Sequence, residues 1–143
     1  MPAMQFGVPP WYFDDETNVI CKRFVDLHVN YVFPYIYSLP LDGQPIVRPM
    51  WWLEPTNELT FNMTDQFLVG DDILVAPVLD PGLTSRDIYI PVGEWFDVEK
   101  SCSFKGPRWV ADYPVKLETI PYFYSRIFID QYYNSSLVVT ECL

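Results

Sequence analysis

From Val19 to Leu39 the apolar residues recur at helical spacing: Ile20, Phe24, Leu27 and Tyr31 form one stripe, and Val25, Val32, Tyr35 and Ile36 widen it. The spacing predicts a helix whose broad apolar face is largely covered. Burying the four large side chains of that stripe would contribute about 6–12 kcal/mol before entropy costs, more than propensity supplies to an exposed helix. Asp14 is placed to cap the N-terminus, and Asp15 and Glu16 put negative charge where the helix dipole favours it. Pro34 removes an amide donor, so it should kink or end the helix nearby. Residues 1–13, rich in Pro and Gly with interleaved aromatics, read as an irregular connection.

After a turn at Leu41-Asp42-Gly43-Gln44 the period changes. Pro45 to Leu53 reads as a buried strand, and Arg48 within it needs a carboxylate or several backbone carbonyls to meet its guanidinium. Thr64 to Gly70 reads as a short helical segment ending on Gly70, and Ile73 to Leu79 as an apolar strand buried on both faces. A turn at Asp80-Pro81-Gly82 leads into Arg86 to Pro91, whose alternation predicts a strand with one wet face. Turns at 92–94 and 105–107 then separate short strands at 95–98, 109–110 and 115–117. Ile120 to Tyr124 is the last clear strand, followed from about Gln131 by a weakly packed tail. Short strands between turns predict a β-sandwich.

Composition narrows the function classes. Half of the 143 residues are apolar, so the chain can build a core. The net charge of −10, with only nine scattered Lys and Arg, argues against a nucleic-acid partner and fits a neutral ligand better than an anionic one. Fourteen prolines spread from Pro2 to Pro121 keep long helices few. Cys21, Cys102 and Cys142 show no C-x-x-C spacing, so neither a metal site nor a redox pair is expected. A Cys102–Cys142 bridge is compatible with an oxidising compartment, and buried free thiols are the alternative. Asn62-Met63-Thr64 and Asn134-Ser135-Ser136 are N-glycosylation triplets, relevant only in the secretory pathway. No apolar run reaches the ~20 residues that span a membrane. The first residues lack a basic region followed by an apolar core, so any targeting signal is expected outside this chain.

Catalytic chemistry is sparse. Phosphate-binding glycine loops, G-x-S-x-G and H-E-x-x-H are all missing, and His28, the only histidine, lacks the partners of a triad or a metal site. Asp14, Asp15 and Glu16 read as helix-capping residues, and Asp71, Asp72, Asp80 and Asp87 lie in or beside turns. No catalytic residue, cofactor or metal is therefore expected. Trp11, Trp51 and Trp52 could stack on the C–H faces of sugar rings, although most tryptophans are core residues.

One stretch is far more specific. Asp65-Gln66-Phe67-Leu68-Val69-Gly70-Asp71-Asp72-Ile73-Leu74-Val75-Ala76-Pro77-Val78-Leu79 closely resembles the D-x-Q-F-x-x-G-D-x-L-L-V-A-P-V segment of family 31 glycoside hydrolases. Its neighbours agree in order and spacing: residues 31–37 resemble the family's R-Y-x-L-L-P-Y-L-Y helix, 45–50 its P-x-x-R-P-L strand and 87–97 its V-Y-L-P-x-G-x-W-Y-D hairpin. The opening Met4 to Trp11 and the paired Trp51-Trp52 are most similar to the myogenesis-regulating glycosidase branch. Many members carry Arg-Asn-His near the opening, where Gln5, Phe6 and Gly7 stand here, so substrate preference is expected to differ.

The resemblance implies an α/β part followed by an all-β part, namely the end of a (β/α)8 barrel over 1–65, a proximal β-sandwich domain over 66–130 and a tail over 131–143. It implies a retaining hydrolase of α-linked glycosides whose nucleophile and acid/base aspartates lie on a missing N-terminal barrel portion, leaving this chain inactive alone. Gln5, Trp11, Trp51 and Trp52 are its candidate sugar contacts, and Arg48 and Asp71 its structural residues. A secretory-pathway location is expected: endoplasmic reticulum lumen, a membrane-anchored parent, or outside the cell. A non-catalytic carbohydrate-binding or scaffolding module is the second reading.

Overall fold

The computed structural model describes residues 8–40, 42–133 and 140–142. The chain divides into two compact units, Met1–Pro40 and Leu41–Leu143.

The first unit is helical. After a 3-10 turn at Pro10–Tyr12, helix α1 runs Asp15–Leu27, passes through a wider π-turn at His28–Val32 and continues as α2, Phe33–Ser38. The Asp14 carboxylate caps α1 by accepting from the Thr17 amide at 2.8 Å. Those bonds hold its carboxyl below the ordinary range. Pro34 does not end the helix at its own position. The Phe33 amide reaches back five residues to the His28 carbonyl, and the extra residue in that turn admits a ring that an ordinary ladder excludes. The apolar stripe is only half-buried, and α1 buries no side chain fully, because the described part of this unit holds no second layer to cover it.

The second unit is one seven-stranded sheet, ordered β1-β2-β3-β6-β4-β5-β7. Its strands are β1 Val47–Pro49, β2 Phe67–Val69, β3 Ile73–Val75, β4 Ser85–Asp97, β5 Cys102–Pro114, β6 Tyr122–Ser125 and β7 Thr140–Glu141. All neighbours are antiparallel except β5 and β7. A single register row, Arg48–Leu68–Leu74–Phe123–Asp97–Cys102, crosses six strands and places those side chains on one face. Leu68, Leu74 and Phe123 join Met50, Ile88, Ile90, Trp95 and Phe104 in the core. Residues from both arms of the sheet thus share one core, as in a sandwich, although the hydrogen-bonded sheet is continuous.

Several local expectations are corrected. Within residues 64–70, Phe67–Val69 form strand β2 rather than part of a helix, because pairing with β1 and β3 and the full burial of Leu68 outweigh local propensity. The strands expected at 45–53 and 73–79 are three residues each, and Ile46, Val47 and Leu79 are exposed. β1 pairs with β2 in the same sheet. Ile88, Tyr89 and Ile90 are all buried, because the connection from Met50 to Gln66 covers the face expected to be wet.

Residues 92–94 and 105–107 are not turns but interior parts of β4 and β5. A register irregularity lies between Ile90 and Gly93, and Gly93 has φ +117°. At Gly106 a Cβ would stand 1.8 Å from the Pro91 carbonyl oxygen, so only glycine fits. Past Val115 the chain turns at Lys116–Thr119 instead of forming a further strand. Among the described residues near the C-terminus, β7 pairs with β5 and Cys142 is buried, and a Cys102–Cys142 disulfide joins them, leaving Cys21 free.

Candidate functional site

The connection between β1 and β2 gathers aromatic and charged side chains at one edge of the sheet. Pro49 ends β1 in extended conformation, and a 3-10 turn, Met50–Trp52, follows. Met50 is fully buried and pins the turn, which leaves Trp51 42% exposed beside a half-buried Trp52. Their rings lie 6.0 Å apart at 40°. The Arg48 guanidinium sits 5.1 Å above the Trp52 ring, donates from Nε to the Pro45 carbonyl at 2.8 Å and donates from Nη1 to the Asp71 carboxylate. Arg48 is 4% exposed while the Asp71 side chain is 52% exposed, so the pair spans the boundary between core and solvent. A guanidinium so buried must be paired, and it stiffens the indole it covers.

Downstream, Glu54 fixes the other side of the connection. One of its oxygens accepts from Tyr89 Oη at 2.8 Å and Asn57 Nδ2 at 2.7 Å, and the other from the Val92 amide at 2.6 Å. Burial first, and then the Glu54 acceptor and its charge, push the Tyr89 hydroxyl up to about 12, so Tyr89 remains a donor at neutral pH. Gln66 closes the segment by pairing with the Tyr89 backbone: Nε2 donates to its carbonyl at 2.9 Å and Oε1 accepts from its amide at 2.8 Å. Arg48, Glu54 and Gln66 together hold the aromatic turn at three points. The arrangement places a partly exposed indole, Trp51, near a guanidinium–carboxylate pair at the sheet edge.

Asp97, at the far end of β4, is fully buried. Its carboxylate accepts from Tyr113 Oη at 2.8 Å and from the Glu99 and Lys100 amides at 3.0 and 3.1 Å. Burial pushes the carboxyl up, against the opposing pull of those hydrogen bonds and of the Lys100 charge. Both buried carboxylates, Glu54 and Asp97, are thus committed to holding backbone and tyrosine groups. Among the described residues no cluster of three or more His, Cys, Asp or Glu could hold a metal ion, and no helix is long and apolar enough to cross a membrane.

Of the sequence-derived candidates, Trp51 and Trp52 are brought together with Arg48 and Asp71. Trp11 stands in the helical unit, 73% exposed in its 3-10 turn. Gln5 and Asn134 lie outside the described residues, and Asn62 is exposed. Sequence reasoning missed Glu54, Tyr89 and Gln66. The only available signal was a carboxylate directly following the apolar run Met50-Trp51-Trp52-Leu53, and its partner Tyr89 is 35 residues away.

Three comparisons bear on this arrangement. The myogenesis-regulating glycosidase of Mus musculus is 43% identical over 127 residues, covering 86% of this chain and 18% of that protein. Alpha-glucosidase 2 of Bacillus thermoamyloliquefaciens is 33% identical over 118 residues, covering 80% of this chain and 15% of that enzyme. The crystal structure of the Flavobacterium johnsoniae GH31 dextranase complexed with glucose superposes with a TM-score of 0.75 at 35% identity, over 84% of this chain and 15% of that one. The chain therefore spans less than a fifth of the length of these relatives. The sequence pattern of the glycosyl hydrolase family 31 C-terminal domain matches residues 43–126, which contain the whole β1–β2 connection and strands β1 to β6, and the chain belongs to that family.

Proposed function

We propose that this chain is the carboxyl-terminal part of a retaining hydrolase of α-linked glycosides, and that it supplies support and sugar contacts while other polypeptide supplies the reactive carboxylates. Family membership over residues 43–126 carries this reading. Retaining hydrolysis needs two carboxyl groups about 5–5.5 Å apart across the scissile bond, one free to attack the anomeric carbon and one free to protonate the leaving oxygen. Glu54 and Asp97 are buried and hydrogen-bonded, and Asp71 is held by Arg48, so none of them has that freedom. In this reading the helical unit belongs to the end of the catalytic barrel and the sheet unit to the β-domain of the whole protein. Trp51, Trp52, Trp11 and Gln5 are its proposed sugar contacts. The acidic surface suits a neutral glycoside, and no cofactor is required. The disulfide and the glycosylation triplets favour a secretory location for the whole protein.

Trp51 gives the cleanest test, because its ring does not cover Arg48. In the full-length protein, Trp51→Ala should raise KM for an aryl α-glycoside about 3- to 10-fold with little change in kcat, as expected for a lost stacking contact. An unchanged KM would remove Trp51 from the sugar site.

A further inference from the structure

We propose that Asn62 is the attachment point of an N-linked oligosaccharide. The triplet Asn62-Met63-Thr64 has threonine at its third position and no proline at its second. Its placement in the fold is the second observation. Asn62 lies in the turn after the 3-10 segment Glu58–Thr60, and both Asn62 and Thr64 are exposed. Among the described residues no hydrogen bond engages the Asn62 carboxamide or the Thr64 hydroxyl. Asn57, five residues earlier, shows the opposite case: its amide donates to Glu54 and Tyr89 and its oxygen accepts from the Leu59 amide. Fully buried Thr60 and buried Gln66 anchor the turn on both sides, so a glycan can stand on it without disturbing the core.

The third observation is chemical. The Cys102–Cys142 bridge belongs to oxidising compartments, the same ones that attach N-glycans. The donor is an oligosaccharide carried on a lipid diphosphate. Asn62 Nδ2 forms a bond to C1 of the first sugar, the C1–O bond to the diphosphate breaks with its electron pair leaving on the diphosphate, and one carboxamide proton passes to a base of the transferase. The product would shade Leu59 and Phe61, which are 63% and 49% exposed beside the turn.

The test is translation of the full chain, fused to a cleavable leader, in the presence of endoplasmic reticulum microsomes. One glycan-sized, endoglycosidase-sensitive step should disappear in Asn62→Gln and in Thr64→Ala, persist in Thr64→Ser, and persist in Asn134→Gln. Because transfer accompanies translocation, this readout does not require a variant to fold. If Asn62→Gln migrates as the parent does, or if the Asn62 peptide of the translocated chain is unmodified by mass spectrometry, the assignment is overturned.

Discussion

Among the described residues of the sheet unit three charged side chains are buried, Arg48, Glu54 and Asp97, and each is met differently. Arg48 depends on Asp71 and on a carbonyl, so Asp71→Ala should cost about 1–2 kcal/mol, the lower part of the range for a charge-assisted bond because Asp71 itself is half in water. The exposed Lys22–Asp26 pair on α1 is the control: Asp26→Ala should change stability by less than about 0.5 kcal/mol. Denaturant titration of both variants separates the two cases. Asp97 has a pH signature. Its carboxyl is raised in the folded state, so its contribution to stability is fully present below the unfolded value near 3.8 and is lost as pH rises through the higher folded value. Asp97→Asn keeps an acceptor for the Glu99 and Lys100 amides but cannot ionise. The variant's stability relative to the parent should therefore rise as pH increases from about 4 towards neutrality. A pH-independent difference would show that Asp97 titrates as it does unfolded.

Among the elements, glycine and proline explain both what the sequence revealed and what it concealed. Asp80-Pro81-Gly82 is a turn as read, whereas Gly93 and Gly106 carry the same punctuation inside two 13-residue strands. The difference lies in a contact between strands: the β4 backbone at Pro91 presses against Gly106, and no local pattern encodes a partner 15 residues away. Gly106→Ala should therefore cost more than about 3 kcal/mol, since backbone must move, whereas Gly82→Ala, with open space around it and φ +82°, should cost about 1 kcal/mol. Thermal melts of the two variants test that order. Helix α1 and its Asp14 cap were legible because both depend on neighbours within four residues. The reading of 64–70 failed because β2 exists only through its pairing with β1 and β3.

For the molecule as a whole, the apolar periodicity yielded strands and a helix but no function; the family became legible only through the long motif over residues 65–79. The disulfide stayed open in the sequence because its cysteines lie 40 residues apart, and the fold brings their Cα atoms to 5.1 Å. The aromatic turn was half-legible: its tryptophans stood out, while the Glu54–Tyr89–Gln66 clamp that positions them did not. In the function proposed above, this chain completes an α-glycosidase while other polypeptide contributes the reactive carboxylates. The most direct measurement is α-glycoside hydrolysis by the full-length protein carrying Glu54→Gln, Asp71→Asn, Asp72→Asn and Asp97→Asn one at a time, with the isolated 143-residue chain assayed alongside. No turnover is expected from the isolated chain, and kcat should stay within about tenfold of the parent for each folded variant, which is about 1.4 kcal/mol in the barrier. Turnover by the chain alone, or loss of hydrolysis in a folded single variant, would contradict that proposal.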